Sequence, residues 1–204
     1  MIGYALRGRS PATPIAWASL PAASANTDVI LPVRIGSYVG MFYSNGTYWL
    51  PVGGIHVIDK GTGLSLTTPA DTNDNEIKKI TLPAGLCVPG STVEIVTTWT
   101  KTGTAGAGTY RPKLGGSSGT SLGTVTHTST NTASQYLTRF QVGAAYNAQS
   151  GYGGGSTPFG GTTAATPTAT RDLSASQDLS ICLQLASAAD SMTLTSYQVT
   201  IYTN

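Results

Sequence analysis

Nine carboxylates, two histidines and two cysteines are the scarce reactive groups of this 204-residue chain; everything else polar is a hydroxyl, an amide or a base. Glycoside hydrolysis needs two carboxyl groups held about 5–10 Å apart across a sugar. Asp71, Asp74 and Glu76 are close in sequence, but the polar stretch Thr67 to Asn75 reads as a solvated loop. Asp172 and Asp178 flank a strand start and read as turn residues. Asp28, Asp59, Glu94 and Asp190 stand alone. A serine triad would have to use His56, inside the apolar run Gly54-Ile55-His56-Val57-Ile58, or His127, inside a threonine run. Neither lies near a Gly-x-Ser-x-Gly nucleophile turn. Two histidines so far apart, with no Cys-x-x-Cys or His-x-x-x-His spacing, do not make a zinc site. Cys87 and Cys182 sit among apolar neighbours and read as buried, reduced thiols. A bridge between them requires Cα atoms within about 7 Å, which spacing does not fix. The expectation is a chain with no catalytic residues, no metal site and no cofactor.

Charge excludes further classes. Asp, Glu, Lys and Arg make up 10% of residues, against roughly 25% in ordinary soluble domains. The net charge is +2, and no basic run exceeds Lys78-Lys79. A nucleic-acid binder needs a denser electrostatic footprint than this. No apolar run is long enough to span a bilayer, so membrane insertion is not expected. Pro14 to Ala25 is faintly signal-like, but Pro14 and Pro21 interrupt it, and a cleaved leader is not expected.

The elements that would position any site are short strands. Thr92 to Trp99 alternates so that Val93, Ile95 and Trp99 share one face. Ser134 to Val142 places Tyr136, Thr138, Phe140 and Val142 together, and Ile181, Leu183 and Leu185 are in phase before a last strand from Met192 to Tyr202. Tyr110 to Leu114 and Ser121 to Thr128 read as further strands, and the glycine-rich Asn147 to Thr170 as a long loop. No segment carries helical periodicity with caps. This pattern predicts an all-β fold: an antiparallel β-sandwich, jelly-roll-like. An immunoglobulin-like sandwich is the alternative, but the Cys-Trp-Cys order it needs is missing.

The N-terminal part differs. Pro11, Pro14, Pro21, Pro32 and Pro51 punctuate it and predict an extended proline-rich arm. Asn45-Gly46 between aromatic runs predicts a hairpin over about 38–52. Asn45-Gly46-Thr47 also matches the N-glycosylation sequon, discounted without a secretory leader. Trp17, Tyr38, Phe42, Tyr43, Tyr48 and Trp49 either pack on the main domain or bury against another protein. So short a segment buries little by itself, which favours the partner. The expected organisation is an arm with hairpin over 1–55, a linker over 56–75 and a sandwich over 76–204. Tyr146, Tyr152 and Phe159, in or beside the glycine-rich loop, are candidates for stacking on a sugar ring, which would make the chain a carbohydrate-binding module.

Four segments carry a resemblance. Leu82-Pro83-Ala84-Gly85-Leu86 with the Pro89-Gly90 turn, Lys113-Leu114-Gly115-Gly116-Ser117, and Ser191-Met192-Thr193-Leu194-Thr195-Ser196-Tyr197 are similar to the C-terminal domain of tailed-bacteriophage structural proteins of the tail-fibre, receptor-binding, head-fibre or decoration type. Asn45-Gly46-Thr47-Tyr48-Trp49-Leu50-Pro51-Val52-Gly53-Gly54 resembles a segment of the same proteins. The resemblance implies a non-enzymatic virion protein, assembled in the host cytoplasm, with a jelly-roll-like head. It also implies a homotrimer, attached through its N-terminal part to other capsid or tail proteins, with host-surface glycan as a further partner.

Overall fold

The computed structural model describes residues 13–151 and 165–203. It contains β1 (Ile15–Ala16), β2 (Ile30–Ile35), β3 (Tyr38–Ser44), β4 (Trp49–Pro51), β5 (Ile55–Thr67), β6 (Asp74–Leu82), β7 (Thr92–Thr102) and β8 (Gly108–Leu114). These are followed by β9 (Thr120–Ser121), β10 (Val125–His127), β11 (Ala133–Val142), β12 (Gln149–Gly151), β13 (Thr168–Ala169), β14 (Gln177–Leu185) and β15 (Ser191–Tyr202). Among the described residues, helix is limited to single 3-10 turns at Trp17–Ser19 and Ala23–Ala25.

Two antiparallel sheets face each other. The larger runs β13-β12-β11-β7-β15-β5 and the smaller β10-β8-β14-β6, with β9 on β8. Take β5, β6, β7, β8, β10, β11, β14 and β15 as strands one to eight. The larger sheet is then ordered six-three-eight-one and the smaller five-four-seven-two. This is the double Greek key of a jelly roll. Alternation makes the core. Val93, Ile95 and Trp99 on β7 are fully buried, as are Ile181 and Leu183 on β14 and Val199 and Ile201 on β15. Tyr110 stacks on Tyr136 at 6.0 Å between the sheets, with Trp99 6.0 Å from Tyr110. Cys87 and Cys182 are buried and free, and burial pushes their thiols up to about 12 and about 11.

The N-terminal part forms a sheet of its own, ordered β1-β2-β3-β4. The β3–β4 hairpin turns at Asn45-Gly46 as its sequence predicts, with Gly46 at φ +86°. The inner face of this sheet presents Val33, Ile35, Phe42 and Trp49, which belong to the same core cluster as the jelly-roll residues. The expected linker differs in its first half: residues 55–67 form the thirteen-residue β5, paired along β15. Its glycines invite a loop reading, but a Cβ at Gly61 would fall 2.8 Å from the Tyr197 ring and 2.9 Å from Leu64. Glycine there lets strand and ring approach closely.

Phe42 is the main bolt between sheet and sandwich. It is 0% exposed, with Trp17 on one edge at 5.4 Å and the His56 ring at 5.1 Å. Phe42→Ala therefore costs about 3–5 kcal/mol, the usual range for a buried aromatic. Urea unfolding of the full chain checks this through the shift in midpoint.

Candidate interaction surface

In a strand, alternate side chains face opposite ways, so the register assigns the outer face of the N-terminal sheet. Ile30 lies opposite Tyr43, Pro32 opposite Met41 and Arg34 opposite Val39. Leu50 also pairs with Tyr43, and the Val52 N–H donates to the Met41 carbonyl at 2.8 Å. On this face Ile30 is 55% exposed, Val39 48%, Met41 47% and Val52 48%. Val29 leads into the sheet and Ile55 leaves it, both exposed. These six are all the large exposed apolar side chains among the described residues. Clustered exposed apolar side chains of this kind make the face a candidate docking surface.

The aromatic residues expected to meet a partner are distributed differently. Phe42 and Trp49 lie in the chain's own core, and Trp49 Nε1 donates to the Pro21 carbonyl at 2.8 Å. Trp17 is half-buried, and its Nε1 donates to the Ala84 carbonyl at 2.8 Å. Tyr48 packs edge-on to Tyr146 at 6.1 Å. Tyr38 is half-buried, donates to the Lys60 carbonyl at 3.3 Å and lies under the Lys60 ammonium. Of the six, only Tyr43 belongs to the outer apolar face. The aliphatic members of that face were missed because they read as ordinary strand residues. Opposite-facing alternation in a two-layer sheet is visible only once the inner layer is known. Among the candidate sugar-stacking residues, Tyr146 is half-buried and engaged with Tyr48, and burial pushes its hydroxyl up to about 12. Tyr152 and Phe159 lie outside the described residues.

The polar groups of the jelly roll are tied to one another. Lys101 and Asp190 form an ion pair of 2.9 Å with side chains 0% and 1% exposed. On the outer face of the larger sheet, Glu94 accepts from Arg139 Nε at 2.7 Å and from the Tyr202 hydroxyl at 3.0 Å. On the smaller sheet Asp74 holds Lys113 at 2.8 Å and Arg111 at 3.4 Å, and Lys79 meets Asp178 at 3.1 Å. One arrangement has the look of a nucleophile and base, and sequence reasoning passed over it. Ser134 Oγ lies 2.6 Å and the Tyr136 hydroxyl 2.9 Å from His127 Nδ1, while Nε2–H donates to the Asn131 carbonyl at 2.8 Å. A hydroxyl against an imidazole can be activated for attack. Here the His127 ring is 0% exposed and Ser134 is half-buried, and the network ties the 128–132 turn to β11. A shallow cavity of about 470 Å³ is lined by Pro89, Gly90, Gln141, Val142, Gly143 and Ser150, none of them titratable. Among the described residues no three His, Cys, Asp or Glu side chains converge as a metal would require. Also among them, no helix is long and apolar enough to cross a membrane.

His56 joins the two layers. It is buried against Phe42, and its Nε2 has no hydrogen-bond partner among the described residues. Burial holds its pKa below the ordinary 6.5. The unfolded chain therefore takes up the proton first as pH falls, so this contribution is present above the unfolded value and is lost below it. The urea midpoint is expected to fall between about pH 7 and pH 5, with a shallower slope in His56→Gln.

No protein-family model matches the chain, and no curated protein matches it.

Proposed function

We propose that this chain is a non-enzymatic structural protein of a bacteriophage virion, held by its N-terminal sheet and presenting the jelly roll outward. One observation carries the reading: every large exposed apolar side chain among the described residues falls within residues 29–55. A partner covering Ile30, Val39, Met41 and Val52 removes from water an area that is otherwise a liability. Apart from Ile55 at the start of β5, the jelly roll by contrast offers threonine and serine hydroxyls and charges already engaged with one another. Such a surface stays soluble at low charge and has little to catalyse with. The phage assignment itself rests on the likeness of the Leu82–Leu86, Lys113–Ser117, Ser191–Tyr197 and Asn45–Gly54 segments to tail and head-fibre proteins. The oligomer is a homotrimer on the same basis.

The test is to purify particles on a density gradient and measure this chain in them by mass spectrometry, with antibody labelling to show where it sits. Stoichiometric occupancy at the head or tail supports the reading. Absence from particles, with the chain instead retained on a glycan array, overturns it in favour of sugar binding.

A further inference from the structure

We propose that Asn45 is a self-modifying site, at which the folded chain turns its own side-chain amide into a succinimide and then into aspartate or isoaspartate. Asn45 is the one asparagine of the chain followed by glycine; Asn26, Asn73, Asn75, Asn131 and Asn147 precede Thr, Asp, Glu, Thr and Ala. A side chain on the following residue shields the peptide nitrogen that must attack, and Gly46 has none. Glycine is also required there by the turn, with φ at +86° and a would-be Cβ 3.0 Å from Thr27 Oγ1. The reactive residue pair is therefore built into the hairpin.

The surroundings of the amide suit the reaction. Asn45 Oδ1 accepts two backbone hydrogen bonds, from Thr47 N–H at 2.9 Å and Tyr48 N–H at 2.7 Å. This folds the side-chain amide over the following peptide. The Gly46 N–H donates to Ser44 Oγ at 3.2 Å, so its proton already points at an oxygen acceptor. Attack of Gly46 N on Asn45 Cγ forms the N–C bond of a five-membered ring. The charge that develops on Oδ1 appears where two N–H groups are already fixed, as in an oxyanion hole. The proton on the N of Gly46, a half-buried residue, passes to water, the C–NH2 bond breaks, and ammonia departs. Water then opens the ring at either carbonyl. The balance is one water consumed and one ammonia released, with no oxidant or reductant.

The product changes the hairpin. Isoaspartate inserts a methylene into the backbone between β3 and β4, and either acid adds a negative charge at the tip. The turn that sets the register of Phe42 with Pro51 and Tyr43 with Leu50 is the one altered.

The experiment incubates the folded full chain at neutral pH alongside a free peptide of sequence Tyr43–Trp49. Tandem mass spectrometry resolves asparagine, aspartate and isoaspartate at each position, and hydroxylamine traps the succinimide. Conversion at Asn45 alone, at least as fast in the folded chain as in the peptide, and absent in Asn45→Gln, is the expected result. Retention of Asn45 in the folded chain while the peptide converts, or equal conversion at the other asparagines, overturns the proposal.

Discussion

A chain carrying Val39→Glu and Met41→Glu is expected to fold as the unmodified protein does and to fall roughly tenfold or more in particle occupancy. Both side chains are about half in water already, so exchanging them for glutamate exposes little that was buried and leaves the core face of β3 untouched. The melting temperature should barely move. At a covered interface the same carboxylates would be taken out of water; Arg34 lies opposite position 39, but position 41 faces Pro32 and has no cation across from it, which is strongly unfavourable. Gln135→Glu with Gln141→Glu, on exposed positions of β11, is the control: the same charge on the jelly roll leaves occupancy unchanged. Thermal melting and quantitative mass spectrometry of assembled particles read the two effects separately. Equal losses for both pairs would mean that added charge, and not the position of the face, is responsible.

Lys101→Met should lower the melting temperature by roughly 10 °C. Lys101 is the penultimate residue of β7 and Asp190 precedes β15, and the register that sets Ser191 against Thr102 brings them together. The Lys101 ammonium also donates to the carbonyls of Gly103 at 2.6 Å and Ser129 at 3.2 Å. Asp190 in turn accepts from the N–H groups of Ala105 at 3.0 Å and Gly106 at 2.7 Å. One ion pair thus fastens three loops at the same end of the sandwich. Lys101 beside it, ahead of those N–H groups, holds the Asp190 carboxyl below its ordinary range against the opposing effect of burial. Stability from this depressed carboxyl is present above the unfolded value and lost as pH falls through the folded one. Methionine keeps the aliphatic bulk but leaves Asp190 without its cation, and uncompensated buried charge is the costly state. Adding Asp190→Leu should restore part of the loss, because no unpaired charge then remains buried; the Ala105 and Gly106 N–H groups lose their acceptor, so the restoration is not complete. A double variant no more stable than Lys101→Met would show that the loop contacts, not the charge, dominate.

The jelly roll was legible where each strand carried its own alternation. Val93, Ile95 and Trp99 could be assigned inward from β7 alone, and the Asn45-Gly46 hairpin from its turn chemistry. The N-terminal sheet was harder. Prolines read as breakers, yet Pro32 lies inside β2 at a place that β1, pairing only with Val33 and Arg34, does not reach. Its missing N–H costs little at such an edge. Glycines hid β5, because the reason for Gly61 is a tyrosine far along the chain. Long-range pairs such as Lys101 with Asp190 leave no local trace, since register alone makes them neighbours. The exposed apolar face was invisible for the same reason. Ile30, Val39, Met41 and Val52 look like core residues until the other side of their sheet is found to be the one that is covered.

Hydroxyl-radical footprinting of the chain, free in solution and in purified particles, tests most directly whether it works by contact through this face. Oxidation of Met41 and labelling of Ile30, Val39 and Val52 should be ready in the free chain and suppressed in the particle, with the threonines of the jelly roll labelled alike in both. Equal labelling of Met41 in both states, or protection confined to the jelly roll, would contradict the account.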